Sequence, residues 1–264
     1  MFFIPNGSNT NGGKEERHRI ILNKVNEKKI IKICDLVDEL EATEMTLRRD
    51  LTYLESKGLL IRIHGGARSN DSFKEELSLS EKRNINIDKK LEIAKIVGSL
   101  VKENDIIYIG PGTTNELIYD YLNVSYAKIV TNSLSVFEKF KDDSRYDVIL
   151  IGGKLRHRSN TFIGNFANEI CKKMIVDLAF VGTNGILDNR VTTRNEDEGI
   201  CQNIILEKSK KPYILCDSTK FELEDFCTFY KLNKDVTIIT DSNISKELKD
   251  KYLKICNVID SIEQ

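Results

Sequence analysis

The chain has 264 residues, with 40 Lys and Arg against 41 Asp and Glu, a net charge of −1. That length predicts about two domains, and 40% hydrophobic with 31% charged side chains excludes a disordered or fibrous protein. Balanced charge also excludes a chain that holds nucleic acid by bulk positive charge. No apolar run reaches the ~18 residues of a membrane span, and the start Met1-Phe2-Phe3-Ile4-Pro5 lacks the basic region of a signal peptide. The six cysteines form no C-x-x-C pair, so they are expected as reduced thiols in a cytoplasmic protein. His18, His64 and His157 have no metal-ligand spacing. The sequence implies no metal site and no cofactor.

Residues 1–13 are rich in Gly, Asn and Ser and read as a disordered leader. Residues 14–70 begin with three helical patterns. Ile21 and Val25 mark the first, Leu36, Val37 and Leu40 the second, and Leu47, Leu51 and Leu54 the third. A short β-branched stretch, Lys29–Ile33, separates the first two. Thr43 can cap the third helix, and Gly58 stops it. With its leucines inward, that helix turns Thr46, Arg48, Arg49 and Thr52 outward. Guanidinium forks match guanine edges and phosphates, and short hydroxyls reach phosphate oxygens.

Leu60–Ile63 reads as a strand entering the turn His64-Gly65-Gly66. The hairpin from Arg62 to Arg68 holds two arginines and no acid, and its glycines permit close approach to a duplex. The whole predicts a winged helix-turn-helix that contacts double-stranded DNA through Thr43, Thr46, Arg48, Arg49, Thr52, Arg62, His64 and Arg68. Asp50 is expected to pair with a basic neighbour, because a carboxylate aimed at phosphate is repelled. Residues 1–70 carry 12 basic and 10 acidic side chains, so few phosphate contacts are available per copy. Binding as a homo-oligomer is therefore expected.

Residues 71–88 are polar and read as a linker. From 89 to 264 short β-rich runs alternate with helical segments. The strands are expected at 106–109, 128–131, 148–151, 178–181, 213–216, 236–240 and 255–259, and the helices near 89–102, 114–122, 133–141, 195–209 and 243–252. This alternation predicts a doubly wound α/β domain. The first strand runs into Gly110-Pro111-Gly112-Thr113-Thr114 and a helix, a turn suited to cradling phosphate. Further polar clusters follow later strands, at the carboxyl ends where open α/β sheets bind ligands. They are Thr131-Asn132-Ser133, Gly152-Gly153-Lys154-Leu155-Arg156, Gly182-Thr183-Asn184-Gly185 and Asp217-Ser218-Thr219-Lys220.

Arg17, Ile21 and Val25, the run Thr43–Leu51, and Gly58 with Arg62–Ala67 together resemble the DNA-binding domain of the DeoR family of bacterial transcription regulators. The strand-end clusters resemble that family's sensor domain, which is similar in fold to ribose-5-phosphate isomerase. The resemblance implies a sugar-phosphate effector held by Lys90, Gly112, Thr113, Thr114, Asn132, Gly152, Arg156, Asn184, Glu198, Asp217 and Lys220. Lys90 precedes Gly112 by 22 residues, a spacing similar to that of the isomerases' phosphate lysine; a solvated first-turn lysine is the alternative. The isomerases carry two catalytic aspartates three residues apart. Here Asp177-Leu178-Ala179-Phe180 resembles that segment with Phe180 in the second position, which implies binding without turnover.

Arg62–Asn70, Gly110–Thr114 and Asp225–Tyr230 further resemble the lactose-repressor branch of the family, implying tagatose 6-phosphate as effector and release of the repressor from a lactose or galactose operon. An isomerase-like enzyme with an appended DNA-binding domain, or an activator of the same family, are the alternatives.

Overall fold

Two separate patterns of apolar residues build two compact units, residues 1–75 and 76–264. A computed structural model describes residues 10–28, 30–40, 42–56, 59–63, 65–69 and 77–262.

In the first unit the elements are α1 (Thr10–Lys28), β1 (Ile30–Lys32), α2 (Ile33–Leu40), α3 (Glu44–Ser56), β2 (Leu60–Ile63) and β3 (Gly66–Ser69). Ile21 and Val25 of α1, Leu36 of α2, and Leu47, Leu51 and Leu54 of α3 are all buried in one cluster. α1 begins at Thr10, inside the stretch 1–13 expected as a leader. Helix propagation from the docked segment extends over four residues whose composition alone disfavours it. The strands form a three-stranded antiparallel sheet in the order β1-β3-β2.

Both wing glycines have an internal reason. Gly65 sits at φ +77°, a left-handed conformation that favours glycine. A Cβ on Gly66 would lie 2.0 Å from the Ile31 carbonyl oxygen, because β1 crosses there. The stop glycine Gly58 lies outside the described residues.

In the second unit α4 (Leu79–Arg83) and α5 (Ile87–Leu100) precede β4 (Ile106–Ile109), and a 3₁₀ helix (Asn115–Tyr121) comes next. Then come β5 (Ala127–Thr131), α6 (Leu134–Phe140), β6 (Tyr146–Leu150), β7 (Lys154–Arg156), β8 (Thr161–Ile163), α7 (Asn165–Cys171) and β9 (Val176–Gly182). The chain continues through β10 (Gly185–Leu187), β11 (Arg190–Thr193), α8 (Glu196–Lys208), β12 (Ser209–Leu215), β13 (Cys227–Lys231), β14 (Thr237–Ile239), α9 (Lys246–Leu253) and β15 (Asn257–Ile259).

Seven strands form one parallel sheet in the order β15-β14-β12-β9-β4-β5-β6. Period-two alternation sends Ile107, Ile109, Leu178 and Phe180 to one face with α5 and α6. Tyr108, Ala179 and Val181 go to the other, with α7, α8 and α9. The expected doubly wound α/β architecture is therefore present. No helix among the described residues is long and apolar enough to cross a membrane.

Further features depart from the sequence reading, among them the unexpected helix α7 (Asn165–Cys171). Residues 79–83, expected within a linker, form α4 with a capping box: the Ser78 hydroxyl accepts from the Glu81 N–H, and the Glu81 carboxylate accepts from the Ser78 N–H. The short strands β7 with β8, and β10 with β11 and β13, form two small antiparallel sheets; runs of three to five residues carry too little alternation to stand out. Cys171 and Cys201, expected as free thiols, are bonded to each other across α7 and α8, where both side chains are buried in one core.

Asp50 holds the first unit's helices together. It is 3% exposed, and its carboxylate accepts from Arg17 Nε at 2.6 Å and pairs with His18 Nε2 at 2.9 Å. Burial pushes its pKa up, but the Arg17 and His18 hydrogen bonds outweigh this and hold it below the ordinary carboxylate range. The pair's contribution is therefore complete at neutral pH and fades as pH falls below about 4. Asp50→Ala strands a partly buried guanidinium and is expected to cost about 3 kcal/mol, read as lost hydrogen-exchange protection in α3 at neutral pH.

Candidate functional site

α3 presents a polar face because its four buried residues, Leu47, Asp50, Leu51 and Leu54, lie on one side. Thr43 Oγ1 accepts from the Thr46 N–H at 3.3 Å and thereby caps the helix, and Thr46 Oγ1 lies 3.0 Å from it. Arg48, Arg49 and Thr52 are exposed on the helix, as are Arg62 on β2 and Arg68 on β3. Arg48 pairs with Glu44 at 3.0 Å, one turn back. The Arg62 guanidinium donates to Thr52 Oγ1 at 2.9 Å, and the Thr52 hydroxyl donates to the Arg48 carbonyl at 2.8 Å. Thr52 thus ties the wing strand to the helix. His64 lies outside the described residues. The outcome is a basic surface on a capped helix with a basic hairpin beside it.

In the second unit the carboxyl ends of β4, β9 and β12 meet in a cavity of about 80 Å³. Of the residues expected to hold an effector, Gly112, Thr113, Thr114, Asn184, Glu198 and Lys220 line it together. Gly112 has φ +132°, which lets the chain turn at the end of β4. The turn leads into a seven-residue 3₁₀ helix rather than the α-helix expected, so the dipole here is shorter and weaker than the sequence suggests.

Lys220 extends its ammonium to the Thr183 carbonyl at 2.8 Å and lies 3.5 Å from Asp217. Lys90 does not line the cavity: its ammonium donates to the Lys82 carbonyl on α4. Burial and then the charge of Lys220 lower the Lys90 pKa to about 8, against the opposing pull of Asp217 and Glu116.

Arg156 stands behind the wall, 3.2 Å from the Glu198 carboxylate, which also accepts from the Ser159 hydroxyl. A Cβ on Gly199 would lie 2.7 Å from Phe229 Cβ, so only glycine lets α8 approach β13 closely enough to bring Glu198 to the cavity.

Besides Lys90 and Arg156, three further expected residues lie outside the cavity lining. Asn132 is fully buried and accepts from the Tyr108 hydroxyl at 2.7 Å while donating to the Phe162 carbonyl at 2.9 Å; its polar atoms are satisfied internally. Gly152 does not line the cavity. Asp217 caps the turn Ser218–Lys220, accepting from the Thr219 N–H at 3.2 Å and from Asn86 at 3.4 Å. Asn184 lines the cavity with its amide donating to Asp225 at 2.7 Å.

The isomerase comparison at Asp177 and Phe180 also needs correction. Asp177 lies at the amino end of β9, accepting from the Ile106 N–H at 2.9 Å and pairing with Lys210 at 2.7 Å. Phe180 is in mid-strand, stacked on Tyr213 at 5.1 Å. A parallel sheet offers its carboxyl edge to ligands, and β9 reaches that edge only at Gly182-Thr183-Asn184. Phe180 therefore says nothing about turnover.

Sequence reading missed Lys82, Ser159, Thr193 and Gln202, which all line the cavity. The capping-box spacing Ser78-x-x-Glu81 could have revealed α4, and Gln202 stands one helical turn after Glu198.

A basic winged helix joined in one chain to an α/β unit with a polar cavity defines the class of winged helix-turn-helix regulators. Residues 17–73 match the DeoR-like helix-turn-helix domain and residues 85–242 match the DeoR C terminal sensor domain. The chain belongs to the DeoR family.

It is 39% identical over 249 residues to a Streptococcus mutans protein named lactose phosphotransferase system repressor, covering 92% of this chain and 99% of that protein. A Staphylococcus aureus protein of the same name is 38% identical over 231 residues, covering 86% of this chain and 92% of the relative. Among solved structures, ribose 5-phosphate isomerase A from Methanocaldococcus jannaschii is 18% identical, with 52% of this chain and 55% of that chain covered and a TM-score of 0.37. At that distance the likeness carries no inference about chemistry.

Should the cavity take an anion, the charge of Lys90, outside the lining but coupled to Lys220, makes that binding pH-dependent. Lys90 loses its proton as pH rises through about 8, so inorganic phosphate is expected to bind more weakly at pH 9 than at pH 7. Calorimetric titration checks this, and Lys90→Met should flatten the dependence.

Proposed function

We propose that the chain is a transcriptional repressor of a lactose or galactose catabolic operon, released from its operator when a phosphorylated sugar fills the cavity. The names of the Streptococcus mutans and Staphylococcus aureus relatives support the operon class, and tagatose 6-phosphate is the effector we assign. The protein acts in the cytoplasm, where its operator is, and as a homo-oligomer on repeated half-sites, since each wing and helix offers few basic contacts. Arg48 and Arg49 read the major groove, with Arg62 and Arg68 on flanking phosphates. Lys220, Thr113 and Thr114 take the phosphate of the effector.

The observation that carries this reading is the position of α4. Leu79 and Lys82 of α4 line the cavity, and α4 is the first described helix after the segment that joins the two units. The cavity, about 80 Å³, is well below the ~300 Å³ of ordinary small-molecule sites. It opens beside a larger cleft of about 760 Å³ that shares Thr113 and is lined by Arg83 of α4 and Glu116, so a sugar phosphate reaching from one to the other lies against α4. The five-residue α4 is anchored by buried Leu79, by the Lys90 bond to the Lys82 carbonyl and by Arg83 on Glu116 at 2.9 Å. Displacing it changes the path of the chain toward the DNA-binding unit. Such a coupling requires that the effector bind the two arrangements unequally.

Arg48→Ala or Arg49→Ala is expected to weaken operator binding by about 1–3 kcal/mol with an unchanged melting temperature, measured by mobility shift and thermal denaturation. An unaltered operator affinity in both variants would refute the assignment. Glu116→Gln, which loosens the α4 anchor, lowers the cost of displacing α4 and should therefore raise sugar-phosphate affinity and release DNA at a lower sugar-phosphate concentration. Titration of a preformed operator complex measures the difference.

A further inference from the structure

Two acceptor atoms in the cavity wall have no donor among the described residues. Gln202 is 4% exposed, and its Oε1 is buried without a hydrogen-bond partner. Asn115 is fully buried, and its Oδ1 is likewise unpartnered. Both residues line the cavity. The Asn115 amide is oriented by the carbonyls of Gly110 at 2.8 Å and Phe180 at 3.2 Å, to which its Nδ2 donates, so its oxygen must face away from them. The Gln202 oxygen accepts no hydrogen bond from the described residues. Buried acceptors are ordinarily satisfied, and an unsatisfied one in a cavity wall asks for a donor from outside the chain.

The donor cannot be the ionised phosphoryl group of a phosphate monoester, whose oxygens only accept. It must be a group such as a hydroxyl. On α8, Glu198 lies four residues before Gln202, on the same helical face, and its carboxylate already accepts from Ser159 and Arg156. This wall is therefore rich in acceptors, whereas Lys220 brings a cation to the same cavity. A ligand that satisfies both is anionic at one end and hydroxylated at the other.

Resting on the sugar-phosphate reading above, we infer that Gln202 is the specificity-determining residue of the cavity, accepting a hydrogen bond from a hydroxyl on the sugar end of the effector. Asn115, locked by backbone carbonyls, supplies a fixed acceptor at the turn. The Gln202 oxygen, buried and unpartnered among the described residues, is the atom left to accept from a ligand hydroxyl. It distinguishes a phosphorylated polyol from a bare phosphate.

The test uses the full chain, titrated calorimetrically with inorganic phosphate and with tagatose 6-phosphate. The wild type is expected to prefer the sugar phosphate, and Gln202→Met to reduce that preference at least tenfold while inorganic phosphate binds as before. Lys220→Ala should weaken both ligands. Gln202→Met without ligand should melt no lower than the wild type, because an apolar chain of similar volume replaces an unsatisfied acceptor; Gln202→Leu provides the same loss of acceptor in a second variant. Full retention of the sugar-phosphate preference in a folded Gln202→Met or Gln202→Leu protein overturns the role of Gln202 and leaves the sugar-phosphate reading standing. A wild type that binds neither phosphate nor tagatose 6-phosphate overturns that reading and this inference together.

Discussion

Everything in the second unit depends on seven strands running the same way. A parallel sheet needs a crossover after each strand, so chain reversals collect at its edges, and the carboxyl ends of β4, β9 and β12 open onto one region. The cavity is a consequence of that topology. Gly112, Asn184 and Lys220 are far apart in sequence, yet each follows one of these strands. The two small antiparallel sheets complete the enclosure, since Ser159 follows β7 and Thr193 ends β11.

Charge is arranged differently in the two units. In the first, a buried carboxylate, Asp50, draws Arg17 and His18 of α1 onto α3, leaving the opposite face of α3 for its exposed arginines. The anion is inside and the cations are outside. In the second, Lys90 and Lys220 share a poorly hydrated region with Asp217 and Glu116, and the cost of burying the Lys90 ammonium, and then of holding it near that of Lys220, shows as its lowered pKa. A protein of net charge −1 can thus present exposed arginines on α3 and the wing while burying a carboxylate beneath them.

Where sequence reading succeeded, the residue's role was local. The helical spacing of Leu47, Leu51 and Leu54, the cap at Thr43 and the glycine turn at Gly112 are all decided within a few residues. Where it failed, the decision was made by distant chain. Asn132 has the composition of a ligand-binding residue but is claimed by Tyr108 and Phe162. Asp217 is taken by its own turn and by Asn86. Phe180 falls in mid-strand because β9 extends to Gly182, which composition does not reveal. The charged stretch before α5 read as linker because five helical residues are too few to show a period.

The sequence by itself determined the two-unit organisation, the winged helix with its outward arginines, and the alternation that dictates a parallel α/β sheet. These rest on hydrophobic periodicity and turn chemistry, which act over short distances. Only the tertiary structure decided which strand-end residues meet, that α4 belongs to the cavity wall, and that the Gln202 oxygen stands there without a partner among the described residues. Those depend on how strands order themselves in the sheet and how closely α8 packs at Gly199, and both are settled by the burial of side chains contributed from the whole length of the unit.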